Sequence, residues 1–130
     1  MPKKTTKPKT IKALILRTSN GHFDCLNVEV VDAPADTAAF VDFVQKHVGG
    51  YFEAHGAQLK RKHLTIYVNE EAAINGTDIG FILGKSRALL GNAVIVESKR
   101  GKDVDFSLTP MDIGKNTLLV RLTRSDDTNN

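Results

Sequence analysis

The fold of this chain is decided by the stretch Leu64-Thr65-Ile66-Tyr67-Val68-Asn69, in which apolar and polar side chains alternate. Successive side chains of a strand point to opposite faces of a sheet. This period of two therefore predicts a strand whose aliphatic members face a core and whose other members, including Tyr67, lie on the opposite face. A neighbouring strand is predicted at residues 51–55. The basic segment Lys60-Arg61-Lys62 is predicted in the loop between these two strands.

The rest of the chain predicts more strands, grouped in hairpins. They are expected at residues 11–17, 23–31, 92–97, 103–108 and 117–123. Asn20-Gly21 separates the first pair, and this dipeptide is typical of tight hairpin turns. A second hairpin is predicted around the basic turn Ser98-Lys99-Arg100-Gly101.

Helical spacing is found in two segments. After Asp36, a suitable N-cap, apolar residues recur every three or four positions until Gly49, which can end a helix in the left-handed conformation. A second helix is predicted from Thr77 to Gly91, although Gly80 and Gly84 weaken its propensity. Thr109-Pro110 starts a single additional turn. The expected class is α+β, with a mostly antiparallel sheet of about six to seven short strands in hairpins and two helices packed on one face.

Length and composition predict one domain with two tails. The 130 residues predict a disordered basic tail at 1–10, a single α+β domain at 11–124 and a disordered polar tail at 125–130. The net charge of +3 includes four tail lysines, namely Lys3, Lys4, Lys7 and Lys9. The single cysteine, Cys25, excludes an internal disulfide. Because no apolar run is long enough to cross a bilayer, we expect no membrane association and a cytoplasmic location.

Residue patterns for catalysis or metal binding are absent from the sequence. The four histidines include no pair at the spacing that places two imidazoles on one metal ion. Glu70 and Glu71 are adjacent carboxylates, but neighbouring side chains of a strand diverge. We therefore expect no enzymatic activity, no catalytic residue, no metal and no cofactor.

Two short motifs carry a resemblance to a known family. A strand ends in Tyr67-Val68-Asn69-Glu70-Glu71 and leads through the Asn75-Gly76 turn to Gly91-Asn92-Ala93-Val94. This pattern resembles the domain of unknown function 3846 family, found mostly in bacteriophages and bacterial mobile elements. The likeness spans roughly residues 11 to 108. The helix predicted after Asn75-Gly76 departs from the family pattern, so no role of that helix is carried over to this chain. It implies a phage or mobile-element origin and no specific activity.

Two main functions remain open. The first is a small non-enzymatic protein that binds and modulates a host protein through an exposed sheet face and the following loop. The partner-binding residues predicted for it are Tyr67, Asn69, Glu70, Glu71 and Asn75. The second is a nucleic-acid-binding accessory protein. Binding of a host protein is preferred, because only 6% of the residues are aromatic, with no Trp, and single-stranded nucleic-acid binders rely on aromatic side chains for stacking. Its predicted phosphate-contacting residues are Lys3, Lys4, Lys7, Lys9, Lys60, Arg61, Lys62, Lys99, Arg100 and Lys102. Small-ligand sequestration and a homodimer are further alternatives.

Overall fold

The computed structural model describes residues 9–19 and 24–121 of the chain. Within them the strands are β1 Thr10–Ser19, β2 Asp24–Pro34, β3 Phe52–Leu59, β4 Lys62–Asn69, β5 Ile79–Leu83, β6 Leu89–Leu90, β7 Ala93–Lys99, β8 Lys102–Val104 and β9 Thr117–Arg121. The helices are α1 Thr37–Val48 and α2 Pro110–Lys115. The predicted α+β class is confirmed. The Asn20-Gly21 turn and nearly all of both predicted tails lie outside the described residues, while β1 already begins at Thr10.

The large sheet has the strand order β2-β1-β7-β4-β3, and β8 pairs with β7 beside β1. All of its neighbouring strands are antiparallel. The predicted hairpins β1–β2, β3–β4 and β7–β8 are confirmed by their registers. The last of these strands ends at Val104, earlier than predicted, although Phe106 remains buried and its N–H donates to the Lys12 carbonyl.

A hydrophobic core lies on each face of the large sheet. On one face, Leu64 and Ile66 of β4 pack with Phe81 of β5 and Ile113 of α2. The small sheet β6-β5-β9 and α2 therefore cover this face. On the other face, residues of β1 and β7 pack against Val44 of α1. The two helices thus lie on opposite faces, which differs from the expected placement on one face.

The caps of both helices are those that the sequence predicts. The Asp36 carboxylate accepts from the Ala39 N–H, and Gly49 ends α1 with a left-handed φ of 90°. Thr109 and Asp112 form a reciprocal capping box at the start of α2. The Thr109 hydroxyl accepts from the Asp112 N–H, and the Asp112 carboxylate accepts from the Thr109 N–H. These local contacts satisfy N–H groups that a helix start otherwise leaves unpaired.

The helix predicted from Thr77 to Gly91 is wrong, because this segment forms β5 and β6. Phe81 and Leu83 are buried on the core face, so the apolar period here is two. Gly80 allows the backbone of β6 to approach β5 closely, since a Cβ at this position would lie 2.1 Å from the Leu89 carbonyl oxygen. The spacing of apolar residues also fits a helix, and only the tertiary pairing selects the strand.

Candidate functional site

The two basic turns predicted from the sequence lie at the same end of the large sheet. Lys60-Arg61 connects β3 to β4 and Arg100-Gly101 connects β7 to β8, each as a two-residue loop. β4 pairs with β7, and His63 lies opposite Ser98 in that pairing. The register therefore places the loops side by side. We refer to the six cationic residues of these loops and of the strand ends that flank them as the basic turns, namely Lys60, Arg61, Lys62, Lys99, Arg100 and Lys102.

The charges of the basic turns are mostly uncompensated. Lys99 lies directly opposite Lys102 in the β7–β8 register, and like charges in such pairs destabilise a sheet. Among the basic turns, an ion pair with a carboxylate of the described residues is formed only by Lys60, whose Nζ lies 2.6 Å from Asp112 Oδ1. This hydrogen bond, together with those from Thr109, lowers the pKa of Asp112 from 3.8 to about 2. Within residues 9–19 and 24–121, the other five cations have no carboxylate partner.

The backbone of the basic turns is strained. Lys60 has a φ of 49°, Arg61 of 67° and Arg100 of 55°. In the described part of the chain, no other residue apart from glycine has a positive φ. Turns of this mirror-image type normally contain Asn or Gly, because the left-handed conformation costs other residues about 1–2 kcal/mol each. Long cationic side chains therefore occupy positions where Asn or Gly would be less strained.

Lys9 lies at the same end of the sheet. β1 and β7 are antiparallel, with Leu14 opposite Ile95, so the start of β1 points toward the end of β7. Lys9 immediately precedes β1, is exposed, and its carbonyl accepts from the Ala35 N–H. Lys3, Lys4 and Lys7 lie outside the described residues.

A cleft of about 650 Å³ lies between the basic turns. Arg61, Lys62, Lys99 and Arg100 contribute to its walls. The wall also contains Glu97, which is only 5% exposed. Its Oε1 accepts from the backbone N–H and the hydroxyl of Ser107 at 2.8 and 2.7 Å. This carboxylate is therefore engaged within the fold. Asp105 also lines the cleft and is exposed, and its Oδ1 accepts from the Lys12 N–H. The four cationic residues outnumber these two carboxylates, so the charge of the cleft is mainly positive.

An aromatic cleft of about 500 Å³ adjoins the basic turns on the α1 face of the sheet. Phe40, Phe52 and Tyr67 line it, with Lys102 and Asp103. The Tyr67 ring lies edge-on to both phenylalanines, at centroid distances of 5.5 Å from Phe40 and 5.3 Å from Phe52. Burial, and secondarily the Asp103 carboxylate, raise the pKa of Tyr67. Lys102 thus belongs to both the basic turns and the aromatic cleft.

The predicted partner-binding residues do not form one exposed face. Tyr67 is half-buried between α1 and the sheet, so the expectation that it lies on an open sheet face is wrong. Sequence reasoning could not place it, because the face opposite Leu64 and Ile66 is covered by a helix about 20 residues or more upstream in the chain. Its aromatic packing identifies it as part of the second core.

Asn69 has a structural role that the motif alone does not reveal. Its amide nitrogen donates to the Val48 carbonyl at 3.2 Å, and its Oδ1 accepts from the Glu71 N–H at 2.7 Å. It therefore joins the end of α1 to the end of β4 and starts the following turn. Glu70, Glu71 and Asn75 are exposed in that turn, at the end of the molecule opposite the basic turns.

A small cleft of mixed charge lies beside this turn. It has a volume of about 170 Å³ and is lined by Glu53, His55, Glu70 and Arg87, among others. The Nε2 atom of His55 lies 3.4 Å from Glu53 Oε2 and is buried without a hydrogen-bond partner. In the described residues, no three His, Cys, Asp or Glu side chains are grouped so as to hold a metal ion. None of the helices in this part is long and apolar enough to span a membrane.

Comparisons with protein-family models, curated proteins and solved structures found no match to this chain. The resemblance to the domain of unknown function 3846 family therefore stays a prediction. The structure brings together six of the predicted phosphate-contacting residues, with Lys9 at the same end of the sheet. Sequence reasoning missed Phe40, Phe52 and Asp103, which belong to different elements and share no motif.

Proposed function

We propose that this chain is a small non-enzymatic binding protein that holds the phosphates of single-stranded nucleic acid on its basic turns. The observation that carries this proposal is the pair of adjacent turns, in which cationic residues occupy strained positions and lie opposite one another. Such an arrangement costs stability, so a gain in binding is the natural compensation. Nucleic-acid binding was the alternative that the sequence left open, and the adjacency of the turns makes it the stronger interpretation.

Phosphate binding is the chemistry that best suits five uncompensated cations on short, well-defined turns. Lys and Arg side chains that neutralise phosphates release condensed counterions, and this release drives association. The two arginines can in addition bind a phosphate with two parallel hydrogen bonds. Because the turns are anchored in the sheet, their backbones lose little entropy when a strand binds.

The test is the salt dependence of binding to a fluorescently labelled, single-stranded oligonucleotide, measured by anisotropy. The slope of log K against log salt is steeper by about 0.7 for each phosphate that a protein neutralises on a single strand. We expect the double variant Arg61→Gln, Arg100→Gln to bind more weakly and to have a slope shallower by about 1.4, since it neutralises two fewer phosphates. The matched control is Lys46→Gln with Arg87→Gln, which removes two exposed charges near the opposite end of the molecule.

Two results would contradict the proposal. One is that the intact chain binds the oligonucleotide with no dependence on salt. The other is that the control pair weakens binding as much as the pair in the basic turns, which would show that only the total charge matters. A version lacking residues 1–9 separates the contribution of the amino-terminal lysines from that of the folded domain.

A second candidate function is the binding of a protein partner through the loop that follows β4. Two large apolar side chains support it, because Tyr51 is 68% and Ile74 is 83% exposed. They accompany Glu70 and Glu71 of the family motif, and the Glu70 N–H donates to the Tyr51 carbonyl. If the chain comes from a phage or mobile element, the partner would be a host protein. A pull-down from host lysate after nuclease treatment tests this, with Tyr51→Ser, Ile74→Ser as the variant that should lose the partner.

A further inference from the structure

We propose that the aromatic cleft receives one unpaired base, preferentially guanine, of the strand whose phosphates the basic turns hold. This inference rests on the proposed function and names the part of the nucleic acid that the phosphate contacts leave free. Single-stranded binders combine a positively charged surface with aromatic rings on which bases pack. Both components are present here, and Lys102 belongs to both of them.

The position of the cleft supports this occupant. Lys102 lies opposite Lys99 across the β7–β8 turn, and it also borders the cleft next to Asp103. A phosphate held at this turn therefore places its own nucleotide near the aromatic rings. The cleft of about 500 Å³ is open to solvent and is large enough for a purine base.

The aromatic rings provide an apolar wall that α1 leaves accessible. Phe40 and Phe52 flank Tyr67 at centroid distances of 5.5 and 5.3 Å, and all three side chains are only partly buried. Phe43 also packs on Phe40, with centroids 6.1 Å apart, but it does not line the cleft. The two phenylalanines of α1 therefore form a natural comparison, because one contacts the proposed base and the other only supports the core.

Asp103 gives the cleft a means of choosing among bases. Its side chain is exposed, and in the described part of the chain its carboxylate forms no hydrogen bond or ion pair. A carboxylate only accepts hydrogen bonds. Guanine presents two adjacent N–H donors on its pairing edge, which match the two carboxylate oxygens. Thymine presents one such donor beside carbonyl oxygens that repel the carboxylate, so guanine should bind more tightly.

The experiment compares oligonucleotides that carry the same phosphates. One is entirely abasic, and two others carry a single guanine or a single thymine at the centre of an otherwise abasic strand. Base–aromatic stacking and a bidentate base contact each raise the affinity of a binding protein. We therefore expect the strand with one guanine to bind about tenfold more tightly than the abasic strand. Phe40→Leu should remove most of this gain, whereas Phe43→Leu should keep it. Asp103→Asn should bring the guanine and thymine strands to similar affinities.

The outcomes separate this inference from the function on which it rests. If all three strands bind with equal affinity, the base does not enter the cleft, while phosphate binding by the basic turns stands. If no strand binds, the proposed function is refuted as well. If Phe43→Leu reduces the guanine advantage as much as Phe40→Leu, the effect passes through the core and the cleft is not the base site. Circular dichroism of both leucine variants confirms that each is folded.

Discussion

The strained backbone of the basic turns gives the sharpest prediction, and Arg100→Asn is the substitution that tests it. Arg100 has a φ of 55° and is followed by Gly101, so asparagine here creates the dipeptide that this type of turn prefers. The left-handed conformation costs a long side chain about 1–2 kcal/mol, and asparagine tolerates it better. If about half of this cost is relieved, the free energy of unfolding rises by about 0.5–1 kcal/mol, or a few degrees in Tm for a domain of this size.

The comparison that isolates backbone strain is Arg100→Gln. Both substitutions remove the same charge, but glutamine keeps the strained conformation, so only Arg100→Asn should stabilise the chain. Urea denaturation measures the difference, and both variants should lose the same affinity for the oligonucleotide. Arg87 is the control, because it is exposed and has no positive φ. The reasoning is refuted if asparagine and glutamine at position 100 give equal stability, or if asparagine also exceeds glutamine at position 87.

Three further predictions concern the fold. Gly80→Ala should lower the free energy of unfolding by about 2 kcal/mol or more, because the added Cβ would lie 2.1 Å from the Leu89 carbonyl oxygen. Thermal unfolding measures this effect, and an unchanged Tm would contradict the close approach of β5 and β6. Asn69→Ala should cost about 1–3 kcal/mol through the loss of two hydrogen bonds, whereas Asn75→Ala, in the exposed turn, should cost almost nothing. The Asp112 carboxylate has a pKa of about 2 instead of 3.8, so its stabilising effect is present above 3.8 and is lost as the pH falls toward 2. The difference in urea midpoint between the intact chain and Asp112→Asn should shrink over that range, and a constant difference would contradict it.

Local patterns in the sequence predicted those elements whose physical causes are themselves local. The alternation in β4, the Asp36 cap of α1 and the Thr109-Pro110 start of α2 all agree with the structure. Strand alternation and helix capping depend on residues within a few positions of one another. The same reasoning misassigned the segment from Thr77 to Gly91, because its apolar spacing fits both periods and the deciding contact is the pairing of Gly80 with β6.

The candidate site, like the fold, was partly predictable from the sequence and partly determined by tertiary contacts. The sequence by itself determined which residues carry the positive charge, because Lys60-Arg61-Lys62 and Lys99-Arg100 are legible as basic turn segments. Only the tertiary structure decided that these turns are neighbours, since the antiparallel pairing of β4 with β7 joins strands that are well separated along the chain. The tertiary structure also places Tyr67 in the aromatic cleft beneath α1, whereas the sequence predicted an open sheet face for it. Charge and side-chain chemistry are properties of single residues, whereas adjacency depends on strand register and packing, which the whole chain determines together.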